Sequence, residues 1–102
     1  MVADASMTPT LRPGDRLRVD LGAYRRHRPV VGDVVVLVDP EESGRWLVKR
    51  VAAVDPTTGH VDVRGDAAEL ARDSRQFGTV PPRTIVGRVY RRYFPPERAR
   101  DL

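Results

Sequence analysis

The sequence predicts a mostly β fold. Three observations carry that reading: short β-branched or apolar runs, separators built from Gly, Pro and Asp, and no apolar helical stripe longer than two turns.

Taken in order, residues 6–15 read Ser-Met-Thr-Pro-Thr-Leu-Arg-Pro-Gly-Asp. Two prolines stiffen this segment, and Pro13-Gly14 has the residue types of a tight turn's two central positions. A first strand is expected over Arg16–Val19. Tyr24–Pro29, carrying Arg25, Arg26, His27 and Arg28, reads as a solvated basic loop. The Gly32-Asp33 turn then launches Val34–Val38, whose unbroken apolar character suits a strand buried on both faces. Asp39–Gly44 is a polar turn, and a hairpin should pair Val34–Val38 with Trp46–Val54. Asp55–Gly59 makes another tight turn, followed by His60–Arg64, which alternates like a half-exposed strand. Residues 65–82 read as a mixed loop containing Asp73-Ser74-Arg75, with one helical turn over Ala67–Arg72. A last strand is expected over Thr84–Tyr90, then a basic, proline-broken tail from Arg91.

At 102 residues the chain predicts one domain over 1–102, with a flexible tail over about 95–102. Hydrophobic residues at 40% and charged residues at 31% exclude wholesale disorder. The longest apolar run, Val34–Val38, is far short of the roughly 18 residues of a membrane helix. The first residues carry no basic-then-apolar export pattern, so the expectation is a protein without a membrane span, in the cytoplasm. Cysteine is absent, and His27 and His60 lack metal-ligand spacing, so neither a metal nor a cofactor is expected. The net charge of +4 and pI near 10.3 permit an acidic partner. The Tyr24–Arg28 cluster and the arginine-rich tail have no base-reading or stacking motif, so no nucleic-acid partner is expected.

The chemistry centres on Lys49, the one lysine among 18 basic residues. Every other cation is an arginine, which stays charged in any protein, whereas a buried lysine can become a neutral amine. On a two-residue period Lys49 shares the face of Leu47, Val51 and Ala53, the expected buried side. Burial lowers a lysine's pKa and makes it a candidate general base. Its nucleophile would be Ser6, on the stiffened segment; Ser43 and Ser74 lie in a turn and a charged loop. Met7 reads as a core filler beside it.

These motifs resemble the boxes of signal peptidase I. Ser6-Met7-Thr8-Pro9-Thr10-Leu11 with Gly14-Asp15 resembles its nucleophile box, Gly32–Val36 the next, and Lys49-Arg50-Val51 its lysine box. Gly65-Asp66, Asp73-Ser74-Arg75, Phe77-Gly78, Val80 and Gly87-Arg88 resemble its closing box. The resemblance spans about Ser6 to Pro95. It implies a small antiparallel, barrel-like β domain with little helix, Ser6 as nucleophile and Lys49 as base. It also implies the Ser6 N–H as oxyanion donor, Met7 packed beside it, and Asp73 and Arg75 as ionic support. This chain departs from the family's pattern at Asp4, expected to point away from the oxyanion site or to have its place there taken by another donor, at Ala67 for a usual Asn, and at Ala71 for a serine that often contacts the lysine.

Within the family the chain most resembles the branch that matures nickel-type superoxide dismutase. That implies a precursor substrate, the dismutase pro-form, cut at an N-terminal pro-segment and laid as a strand near residues 4–8. The alternatives are a signal-peptidase-like protease working with a membrane partner and an inactive family member that binds peptides.

Overall fold

The computed structural model describes residues 1–102 and is mostly β. Its strands are β1 Arg16–Asp20, β2 Val34–Val38, β3 Trp46–Val54, β4 Val61–Arg64, β5 Ile85–Phe94 and β6 Arg100–Asp101. All pair antiparallel in one sheet of order β1-β5-β2-β3-β4, with β6 on β5. The antiparallel, helix-poor architecture expected from the sequence is present.

Strand β2 sits at the centre because both its faces are apolar. Val35 and Leu37 pack with Leu47, Val51, Val61, Val63 and Val80 on one side of the sheet. Val34 and Val36 pack on the other with Val2, Met7, Leu11 and Val89. Each cluster removes several branched side chains from water, at about 1.5–3 kcal/mol per fully buried side chain. The β2–β3 hairpin pairs Val35 with Lys49 and Leu37 with Leu47. That register places Lys49 among the buried residues of its strand.

Four differences from the sequence reading have physical causes. A register shift between Val51 and Ala53 breaks the alternation of β3, and Ala53 is exposed. Strand β5 runs on to Phe94, beyond the expected Tyr90. Its arginines are accommodated because Arg92 donates to the carbonyls of Thr10 and Arg98, while β1 supplies Arg16 over Phe94 and Arg18 over Tyr93. The tail, read as loose, forms a 3-10 turn at Pro96–Arg98 and then β6. Arg98 reaches Asp15 at 2.6 Å, and the Leu102 N–H donates to Tyr90 O. Finally, the helical turn expected over Ala67–Arg72 is present as a 3-10 turn at Ala68–Leu70, but a second short helix, α1 Ser74–Phe77, follows it because Asp73 and Gln76 form a capping box at its start.

Candidate active site

The nucleophile segment is held by turns. Thr8 N donates to Ala5 O and Leu11 N to Met7 O, while Met7 and Leu11 anchor it in the core. Pro13-Gly14 closes the segment, with Gly14 at φ 91° and Asp15 N donating to Arg12 O. The Asp15 carboxylate accepts the Arg12 N–H at 2.8 Å, tightening that turn. Residues 4–8 are therefore bends and turns, not a strand of the sheet.

Ser6 is 3% exposed and Lys49 2% exposed. Their Oγ and Nζ lie 2.8 Å apart, hydrogen-bonded across 43 positions of sequence. Burial pushes the Lys49 amine below its ordinary value, opposed by the Asp4 and Asp73 carboxylates and reinforced by the Arg72 and Arg45 guanidiniums. No carboxylate forms an ion pair with Lys49. The geometry therefore sets an amine with a lowered pKa within hydrogen-bond reach of the serine hydroxyl, the arrangement a general base requires.

The 65–73 loop closes against this pair. Ala67 N donates to Ser6 O at 2.9 Å, drawing the loop onto the Ser6 carbonyl. Gly65 makes that approach possible: a Cβ there would stand 2.6 Å from Ser6 O and 2.5 Å from the Ala71 Cβ. Asp73, fully buried, accepts from the Gly65 N–H at 2.8 Å and from Arg75 Nη2 at 2.6 Å. It also accepts from Arg75 N and Nε, both at 3.0 Å. Burial alone would raise its pKa, but the bonds from the Arg75 side chain, Gly65 N–H and Arg75 N–H bring it down to about 2. Asp73 and Arg75 thus form an ion pair that fixes the loop, with neither side chain hydrogen-bonded to Ser6 or Lys49.

Asp4 does not point away. Its Oδ1 accepts the Ser6 N–H at 3.0 Å, because the turn at residues 4–6 brings the carboxylate round to its own segment. Although partial burial raises the Asp4 pKa, the Ser6 N–H and the nearby Lys49 and Arg45 charges leave it lowered overall. The expected oxyanion donor is therefore already engaged.

Two supports went unread in the sequence. Asp66 accepts two bonds from Arg50, at 2.8 and 2.9 Å, and one from the Thr10 hydroxyl at 2.7 Å. It clasps β3, the closing loop and the nucleophile segment together. The signal was available, since Arg50 follows Lys49 and Asp66 follows Gly65. Arg72, beside the site, pairs with buried Asp39 and with Glu41 at 2.6 Å. Nothing in the local composition announces that pairing across 33 residues.

Beside Ser6 opens a cavity of about 290 Å³, lined by Val2, Met7, Leu17, Val36 and Leu47, with Trp46 at its side. It can receive an apolar side chain. No group of three or more His, Asp or Glu side chains is arranged to hold a metal ion. No helix is long and apolar enough to cross a membrane.

The family described as signal peptidase, peptidase S26, matches residues 1–58, more than half of the chain. The sequence is 38% identical to the mitochondrial ATP-independent inner membrane protease subunit 1b of Arabidopsis thaliana, over 88% of this chain and 66% of that protein. It is 30% identical to the probable signal peptidase I-1 of Synechocystis, over 91% and 69% respectively. It is 34% identical to the mitochondrial inner membrane protease subunit 1 of Schizosaccharomyces pombe, over 93% and 72%. The chain thus spans about two thirds of the length of these relatives. With the family match covering the nucleophile segment and the lysine strand, this chain belongs to the signal peptidase family, peptidase S26, and is by that membership a serine endopeptidase domain.

Proposed function

We propose that the domain cleaves protein precursors with Ser6 as nucleophile and Lys49 as general base. The observation that carries this is the 2.8 Å contact between two almost fully buried groups, one of them the chain's single lysine. The neutral Lys49 amine takes the Ser6 Oγ proton as Oγ attacks the scissile carbonyl carbon. The carbonyl oxygen, now negative, seeks the Ser6 N–H, which substrate must win from Asp4. Lys49, protonated, returns its proton to the leaving amine, and the peptide C–N bond breaks. Water then attacks the acyl-enzyme carbonyl, giving a proton to Lys49. The ester C–Oγ bond breaks, the new carboxyl product leaves, and Lys49 passes that proton to Ser6 Oγ, restoring the hydroxyl and the neutral amine. The cavity beside Ser6 takes an apolar side chain of the precursor.

The substrate in this reading is a precursor carrying an N-terminal segment, specifically the pro-form of nickel-type superoxide dismutase, met in the cytoplasm. The resemblance of the four motif boxes supports a Ser/Lys peptidase acting on a precursor, and the dismutase itself rests on the resemblance to the branch that matures it. A second reading, cleavage of exported precursors alongside a membrane partner, is favoured by relatives that bear the names inner membrane protease and thylakoidal processing peptidase. Co-expression with the dismutase precursor separates the two. Intact mass should show the pro-segment lost with the wild-type chain and retained with Ser6→Ala. Retention in both, with cleavage of an exported precursor instead, selects the second reading.

A further inference from the structure

On the sheet's β5 side, where the nucleophile segment ends, lies a cavity of about 600 Å³ bounded by arginines. Six arginines line it, against two aspartates. Three of the six are neutralised in place: Arg50 by Asp66, Arg98 by Asp15, and Arg88 more loosely by Asp33 at 3.7 Å. The other three, Arg12, Arg92 and Arg100, form no ion pair anywhere in the protein.

Arg92 is the unusual member. Only 5% of it is exposed, yet it forms no ion pair: the nearest acidic influence, Asp15, is paired with Arg98. Its Nε donates to Arg98 O and its Nη1 to Thr10 O, both at 2.6 Å. Those bonds fix the plane of the guanidinium; Nη2 has no protein acceptor and, since no fully buried side-chain polar atom lacks a partner, it is the edge of the group open to solvent. A buried cation normally has a partner, because desolvating an isolated charge is costly. Burial and the like charges of Arg98, Arg100 and Arg12 all work against this one, with Asp15 alone offsetting them. The residue type fits as well, since guanidinium is rigid, always charged and matched to oxyanions through parallel donors.

We propose that this pocket is a binding site for a phosphate-bearing small molecule, held by Arg12, Arg92 and Arg100. The volume falls within the range of small-ligand sites and exceeds what a bare phosphate fills, leaving room for the group that carries it. The same chemistry serves a free phosphate compound and the headgroup of an anionic lipid. Catalysis does not enter the proposal: the dyad is formed by Ser6 and Lys49, neither of which lines this pocket.

The test is titration of the whole chain with inorganic phosphate by calorimetry, at ionic strength held constant with chloride. A parallel arm uses sedimentation with phosphatidylcholine vesicles made with and without phosphatidic acid. Arg12→Ser/Arg100→Ser is the main variant, with Arg12→Ser alone as a milder second, and Arg25→Ser/Arg26→Ser removes equal charge from the exposed loop. The expected result is saturable one-to-one binding of phosphate, or of phosphatidic acid vesicles alone, weakened at least tenfold by Arg12→Ser/Arg100→Ser and unchanged by the loop variant. Binding in the phosphate arm only identifies a soluble phosphate compound, and binding in the vesicle arm only identifies a lipid headgroup. The proposal is overturned if neither arm shows saturable binding, or if the loop variant weakens it as much as the pocket variants do.

Discussion

The Asp4 carboxylate sits 3.0 Å from the Ser6 backbone N–H, so the donor best placed to hold an oxyanion is occupied by an acidic side chain. A developing negative charge must displace it, and the two charges repel if Asp4 stays near. Asp4→Ser should therefore raise kcat, by about tenfold, against the 10²–10³ that a full oxyanion donor contributes. The same change removes a carboxylate that raises the Lys49 pKa, so the alkaline rise in activity should move to lower pH. Steady-state rates across pH for both proteins check the two effects together. A lower kcat with an unmoved pH profile would mean that Asp4 helps rather than obstructs.

Lys49→Arg keeps the charge and most of the bulk but loses the neutral state. It should be as inactive as Lys49→Ala, down by about 10²–10⁴ in kcat. Single-turnover cleavage of a precursor peptide measures this. A Lys49→Arg rate within tenfold of wild type would remove Lys49 from the role of base.

The pH profile follows from the direction of the Lys49 shift. Burial lowers the amine below its ordinary value of 10.5, and only the deprotonated form accepts the Ser6 proton. Activity should rise with pH through one ionisation lying below that value, then level. A rate that is flat or falling between mildly acidic and alkaline pH, with the fold intact by circular dichroism, contradicts the assignment.

Much of this was legible because local pattern and tertiary role agree. The run Val34–Val38 is apolar at every position, and both faces of β2 are in fact covered. Lys49 stood out by composition alone, and its register beside Val35 buries it. What was not legible depends on contacts remote in sequence. Arg92 in β5 reads as tail because nothing nearby shows that Thr10 O, 82 positions away, will accept a hydrogen bond from its Nη1. Asp4 reads as misplaced because its orientation is set by a turn that spacing alone does not reveal. Ala53 belongs to the buried face by period, and the register shift after Val51 turns it out.

Asp73 tests the supporting role of the closing loop through stability. In the folded chain its pKa is lowered to about 2 from an ordinary 3.8, chiefly by the Arg75 side chain and the Gly65 N–H acting against burial. A depressed folded pKa means that the carboxylate contributes stability in full above the unfolded value, near 4. That contribution, roughly 2 kcal/mol at about 1.4 kcal/mol per pKa unit, disappears as pH falls through about 2. Asp73→Ala removes it and also leaves the Gly65 N–H and the Arg75 guanidinium without their acceptor. The variant should therefore lose about 2–4 kcal/mol at neutral pH, and its deficit should shrink as pH is lowered from 4 toward 2. Activity should fall with it, because the loop that Asp73 ties through Gly65 is the one bonded to Ser6 O. Urea unfolding at several pH values, read with the cleavage rate at neutral pH, checks both parts. A deficit that stays constant down to pH 2 would assign the effect to packing rather than to the carboxylate's charge. An unchanged unfolding midpoint with activity abolished would give Asp73 a direct part in the chemistry.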